Sequence, residues 1–212
     1  MRLTTTAFTE LEAMPPEYAF CKPDARTHVS LSENLNPDFA WADVPVGTRS
    51  FVLLCHDPDV PSNGDDVNQE GRTVPASLAR IDFFHWVLID IPSSPTKIAC
   101  GEFSNGVTPR GKAGPQAARG ARHGLNDYTG WFAGDKDMAG DYFGYDGPCP
   151  PWNDTIAHRY VFTLYALNVP KLGVDGKFTG HDVKKALQGK ILAQAAVTGR
   201  YALNPAVKIQ GL

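Results

Sequence analysis

The chain is 212 residues long, with 42% hydrophobic residues, 20% charged residues and a net charge of −3. This length suits a single domain, 1–212, with a substantial core, and the charge balance gives no general attraction for nucleic acid. No window approaches the ~18 consecutive apolar residues of a membrane span, and Met1 to Glu12 lacks the apolar run of a secretory signal.

Taken in chain order, residues 1–26 are punctuated by Pro15, Pro16 and Pro23 and read as an extended arm lying on the domain. Thr27 to Leu31 alternates like a first strand. Turn chemistry follows at Asn34 to Pro37 and at Val44 to Gly47, on either side of the short apolar stretch Phe39 to Trp41. Arg49 to His56 is a strand running into the proline-stiffened acidic turn Asp57 to Pro61. Residues 62–80 are polar and read as a long surface loop, with one helical turn allowed over Pro75 to Arg80. Ile81 to Ile91 is a third strand, closed by Pro92, and residues 96–103 allow another.

Glycine becomes frequent over 104–141, a second long loop with Tyr128, Trp131 and Phe132 as anchors onto the core. Basic residues gather there, at Arg110, Lys112, Arg119, Arg122 and His123, but among glycines and Pro115, so a solvated loop is the simpler reading. Asp146 to Pro151 is a rigid proline turn feeding His158, Arg159 and Tyr160 into Val161 to Leu167, a strand apolar on both alternating sets. Val183, Ala186, Leu187, Ile191 and Ala195 then recur at helical spacing, which predicts one amphipathic helix from Thr179–Asp182 to near Gly199. Residues 201–210 read as a final short extended segment. Strands dominate and no βαβ alternation appears, so the fold class is mostly β: an antiparallel β-sandwich with a peripheral C-terminal helix.

Cys21, Cys55, Cys100 and Cys149 form no CxxC pair. They read as reduced thiols in a cytoplasmic protein, with a disulfide or a zinc site as the weaker alternative.

Three strands end in polar groups: Asp57 and Asp59, then His85, then His158 and Tyr160. Brought to one sheet edge, two imidazoles, carboxylates, a phenol and turn amides suit a phosphate-like anion. If both imidazoles must be charged, affinity should fall as pH rises through roughly 6 to 7. Each residue also has a plainer reading: a turn-forming Asp57, a satisfied core His85, a structural His158, a core Tyr160.

The motifs Asp57-Pro-Asp-Val-Pro-Ser62, Phe84-His-Trp86, Tyr142-Phe-Gly-Tyr-Asp-Gly-Pro-Cys-Pro-Pro151 and His158-Arg-Tyr-Val-Phe-Thr-Leu-Tyr-Ala-Leu167 occur in that order. The chain thereby resembles the phosphatidylethanolamine-binding protein family over roughly residues 25–170, most closely its bacterial Raf-kinase-inhibitor-like branch of the YbhB/YbcL type. The resemblance implies a pocket for phosphate-like anions or phospholipid head groups, lined by Asp57, Asp59, Pro61, His85, Gly144, Pro148, His158 and Tyr160. Trp86 ranks lower, since alternation points it away from His85. The resemblance also implies a homodimer and no cofactor. Eukaryotic members of the family act as kinase or protease inhibitors and as flowering signals. Here both the segment between Pro61 and His85 and residues 104–141 are long, and Asn63 stands after Ser62 where eukaryotic members carry a basic residue.

Three functions follow: a non-catalytic binder of a small anion, an interaction module acting on an unknown protein target through the long loops, or a hydrolase using the Asp and His groups. The third lacks support in the motifs, with no HExxH and no GxSxG.

Overall fold

The structure, a computed structural model, describes residues 1–209. Its strands are β1 (Arg2–Thr4), β2 (Cys21–Asp24), β3 (His28–Leu31), β4 (Phe39–Ala42), β5 (Ser50–Pro61), β6 (Arg80–Pro92), β7 (Lys97–Ile98), β8 (Gly111–Lys112), β9 (Arg122–His123), β10 (Asp141–Tyr142), β11 (His158–Leu167) and β12 (Ile191–Tyr201). The α-helices are α1 (Tyr128–Trp131) and α2 (Gly180–Ala186). No helix among the described residues is long and apolar enough to cross a membrane.

A five-stranded sheet in the order β12-β11-β5-β6-β9 carries the fold. All its pairings are antiparallel. The apolar run of β5 explains its central place. Phe51, Leu53 and Cys55 point to one face, while Val52 and Leu54 point to the other, and every one is buried. The first face packs against the small sheet β1-β4-β7, with Phe39 of β4 5.0 Å from Phe162 of β11 and Trp41 5.3 Å from Phe51. The second face is closed by Phe178, Val183 and Leu187, on and beside α2. Each fully buried aromatic or aliphatic side chain in these layers contributes about 1.5–3 kcal/mol.

The C-terminal helix is much shorter than its spacing predicts. α2 opens on a capping box between Thr179 and Asp182, as expected, but ends at Ala186. Gly189 then turns with φ of +72°, and residues 191–201 pair with β11 instead. Ile191 and Ala195 fit helical spacing, yet Val197, Gly199 and Tyr201 are the buried set of an edge strand. Beyond Tyr201 the expected extended segment is absent among the described residues, and position 210 lies outside them.

The N-terminal arm is part of the fold rather than a strap upon it. β1 pairs with β4, and Met14, Ala19 and Phe20 are in the core. The amides of Phe20 and Cys21 both donate to the Pro148 carbonyl, at 2.9 and 3.1 Å. That contact brings together two cysteines 128 positions apart, and Cys21 and Cys149 form a disulfide with Cα atoms 4.9 Å apart. The reduced-thiol reading is therefore corrected for this pair, while Cys55 is a buried free thiol and Cys100 an exposed one. A disulfide persists in oxidising surroundings, which removes the thiol argument for a cytoplasmic setting.

Candidate functional site

The pairing of β5 with β6 is irregular where the polar residues lie. Cys55 pairs with Trp86 and His56 with Phe84, which leaves His85 as the extra residue of a β-bulge. The bulge breaks alternation. His85 turns to a cavity while its neighbour Trp86 packs in the main core, on the same side of the sheet. The expectation that Trp86 points away is thus replaced by a bulge that aims both residues to one side. A second register shift, between Asp57 and Val60, carries β5 through the acidic proline segment, where a simple turn is predicted.

The cavity has a volume of about 280 Å³. Of the predicted site residues, Asp57, Pro61, His85, His158 and Tyr160 line it. Asp59, Gly144 and Pro148 do not. Asp59 is held by Arg159, accepting from its backbone amide at 2.9 Å, from Nε at 2.8 Å and from Nη2 at 2.7 Å. Pro148 uses its carbonyl to hold the N-terminal arm. Gly144 sits with φ of +91° against His123, and its carbonyl accepts from Asn126 Nδ2 at 3.0 Å.

His158, at the first position of β11, is fully buried. Its Nδ1–H donates to Asp57 Oδ2 at 2.6 Å and its Nε2–H donates to Asp154 Oδ2 at 3.0 Å. Arg80 completes the chain, donating from Nη1 and Nη2 to the two oxygens of Asp154 at 2.5 and 3.1 Å. Burial opposes the His158 charge, but Asp57 and the hydrogen bonds to both carboxylates outweigh it and push the pKa up to about 9. Asp154 is held below the usual carboxylate value; burial works against this, but the bonds from His158 and Arg80 prevail. Both nitrogens of His158 are therefore engaged, and neither can donate to a bound anion. His158 therefore lines the cavity as a charge compensated by Asp57 and Asp154.

His85 is arranged differently. Its Nδ1–H donates to the Asp146 carbonyl at 2.7 Å, and the Asp146 amide donates back to the His85 carbonyl at 3.0 Å. A carbonyl can only accept, so the proton is on Nδ1 and neutral Nε2 is a bare acceptor. Burial lowers the His85 pKa from its usual value, with Asp57 and the Asp146 carbonyl offsetting only part of it, so the ring is neutral at pH 7. Nε2 meets no partner among the described residues. Tyr160 also lines the cavity; its hydroxyl is buried without a hydrogen-bond partner, and burial keeps its proton on well above the usual phenol range. The two rings stand 5.1 Å apart. The two imidazoles therefore do not titrate together.

Sequence reasoning missed what holds these groups. Asp146, wholly buried, accepts from Asn34 Nδ2 and Asn126 Nδ2 at 2.8 Å each and pairs with Lys112 Nζ at 2.9 Å. This network fixes the loop whose carbonyl orients His85. Asp154 and Arg80 were missed too. The signal available was Asp154 four residues before His158, which in a loop fixes no geometry.

The rest of the lining is apolar or aromatic apart from Asn68. Phe20, Tyr128 and Phe132 form a ladder of near-parallel rings, with Phe20 to Tyr128 at 4.6 Å and Tyr128 to Phe132 at 5.5 Å. Trp131, predicted as an anchor, is instead 55% exposed at the cavity mouth.

The chain belongs to the phosphatidylethanolamine-binding protein family, whose sequence model matches residues 4–202. It is 34% identical over 169 residues to a UPF0098 protein of Aquifex aeolicus, covering 80% of this chain and 75% of that one. It is 29% identical over 170 residues to the UPF0098 protein YbhB of Escherichia coli, covering 80% and 83%. Among solved structures it is similar to Escherichia coli YbcL, a member of the mammalian PEBP family, with a TM-score of 0.67 and 24% identity over 95% of this chain and 97% of that one. A phosphatidylethanolamine-binding protein homologue from Chlamydia trachomatis gives a TM-score of 0.63 and 26% identity over 94% and 95%.

Proposed function

We propose that the protein is a non-catalytic binding protein whose cavity receives a small phosphate-like head group, free or as part of a larger ligand. The observation that carries this reading is a pair of unpartnered polar atoms, Tyr160 Oη and His85 Nε2, on two residues that line a cavity of about 280 Å³. A buried hydroxyl left without a partner is costly, and a ligand oxygen would satisfy it. Binding an anion at His85 requires a proton on Nε2, taken from the ligand or from water, so affinity falls as pH rises. His158 has no nitrogen free to meet a ligand, so within this reading the imidazole contact falls to His85.

Calorimetry with phosphoethanolamine on the wild type and on His85→Ala tests the proposal. Removing one charge-assisted hydrogen bond should weaken binding by about tenfold or more. Identical isotherms for the two proteins, or no heat for the wild type, would overturn it.

A further inference from the structure

The charges around the cavity are already matched. Among the lining residues His158 is the only cation, and both its nitrogens are bonded to carboxylates. Arg80 is paired with Asp154, Arg159 with Asp59, and Lys112 with Asp146. A bare dianion would meet the Asp57 carboxylate and a neutral imidazole with no free positive charge to hold it. Coulomb attraction is therefore a weak source of affinity here, and the walls must supply the rest.

Those walls come from the two long loops and the N-terminal arm. Val67 belongs to the first loop, Tyr128, Phe132 and Met138 to the second, and Phe20 to the arm. Tyr128 donates its hydroxyl away from the cavity, to the Gly147 carbonyl at 2.8 Å, and so presents only its ring. The first loop is tied in place by Asn153 Nδ2, which donates to the carbonyls of Asp66, Gln69 and Arg72 at 2.8, 3.3 and 3.1 Å. An apolar wall fixed in advance is a surface for a ligand body. An apolar cavity of ~150 Å³ holds one benzene ring, so about 280 Å³ leaves room for one ring and a head, and not for the chains of a diacyl lipid.

Resting on the head-group reading above, we infer that the ligand is a phosphate monoester bearing one aromatic or short alkyl body, with its head at His85 and Tyr160 and its body against the Phe20–Tyr128–Phe132 ladder. Inorganic phosphate, which has no body, and phosphoethanolamine, whose two-carbon chain ends in an ammonium that an apolar wall does not favour, are the weaker partners.

The test is calorimetry at pH 7 with inorganic phosphate, phosphoethanolamine, phenyl phosphate and phenol, on the wild type, on Phe132→Ala and on Trp131→Ala. The exposed position of Trp131 keeps the last variant folded, and thermal melting checks both. Phenyl phosphate should bind about tenfold more tightly than the first two anions. Both variants should shrink that margin and leave inorganic phosphate unchanged. Phenyl phosphate binding no better than inorganic phosphate would overturn the inference and leave the head-group reading standing. Phenol binding as tightly as phenyl phosphate would overturn it by removing the head. Silence from all four would overturn both.

Discussion

At the start of β11, His158 is enclosed by carboxylates; at the bulge of β6, His85 is enclosed by rings. Both line one cavity, and both come from strands that flank β5. The first environment gives a doubly bonded cation in the chain Asp57–His158–Asp154–Arg80. The second gives a neutral ring with one nitrogen fixed by a backbone carbonyl and the other open. What separates them is completeness. His158 spends both ring nitrogens on carboxylates and reads as architecture, although Arg80 Nε at the far end of its chain is buried without a partner, whereas His85 keeps one ring nitrogen open beside an apolar wall. In a pocket, the residue of stronger charge need not be the one that meets the ligand.

The largest way to break this contrast is to cut the charged chain. His158→Ala would leave Asp57 buried without its cation, and breaking a buried ion pair from one side costs about 3–5 kcal/mol. Urea denaturation of the variant should show a loss of that size, and a loss below about 1 kcal/mol would place His158 outside the architecture.

A gentler perturbation is pH. The His158 pKa is raised to about 9, so its contribution is complete below the unfolded value of ~6.5 and disappears as pH rises through about 9. The wild type should lose on the order of 3 kcal/mol over that window, a loss His158→Ala does not share. His85 has the opposite sign. Its lowered pKa means stability is complete above ~6.5 and falls as the ring is forced to take a proton in acid. Ring-proton NMR should therefore resolve one imidazole titrating near 9 and the other below 6.5. Two rings titrating side by side between pH 6 and 7 would dissolve the distinction.

The difference between the two regions also marks how far the residues alone could be read. β5, β6 and β11 are legible because their apolar runs are buried on both faces, and the groups at their ends, Asp57, His85 and His158, do converge. Their roles are not legible, because a role depends on the second nitrogen of each ring. The Asp154 partner of His158 lies in an irregular loop, and the Asp146 carbonyl that holds His85 is a backbone atom, which residue identity does not reveal. The bulge that frees His85 leaves no periodic trace, since Phe83 to Val87 is apolar or aromatic on either alternation. Residues 191–201 misled for a related reason: small apolar residues fit a period of 3.6 as well as a period of 2, and only pairing with β11 decides between them.

The smallest effect is the sharpest. Tyr160→Phe deletes one oxygen that is buried and makes no hydrogen bond. If Tyr160 were a structural residue, the change would be silent in every assay or would cost stability. As a ligand donor it predicts two shifts of opposite sign. Stability should hold or rise, by up to about 1 kcal/mol, because an unsatisfied buried group is relieved. Affinity for phosphoethanolamine should fall several-fold, because the ligand loses the donor the cavity kept for it. Denaturation and calorimetry on the same preparation measure both. A variant less stable by more than about 1 kcal/mol with unchanged affinity would reassign Tyr160 to the core and leave His85 as the sole polar contact.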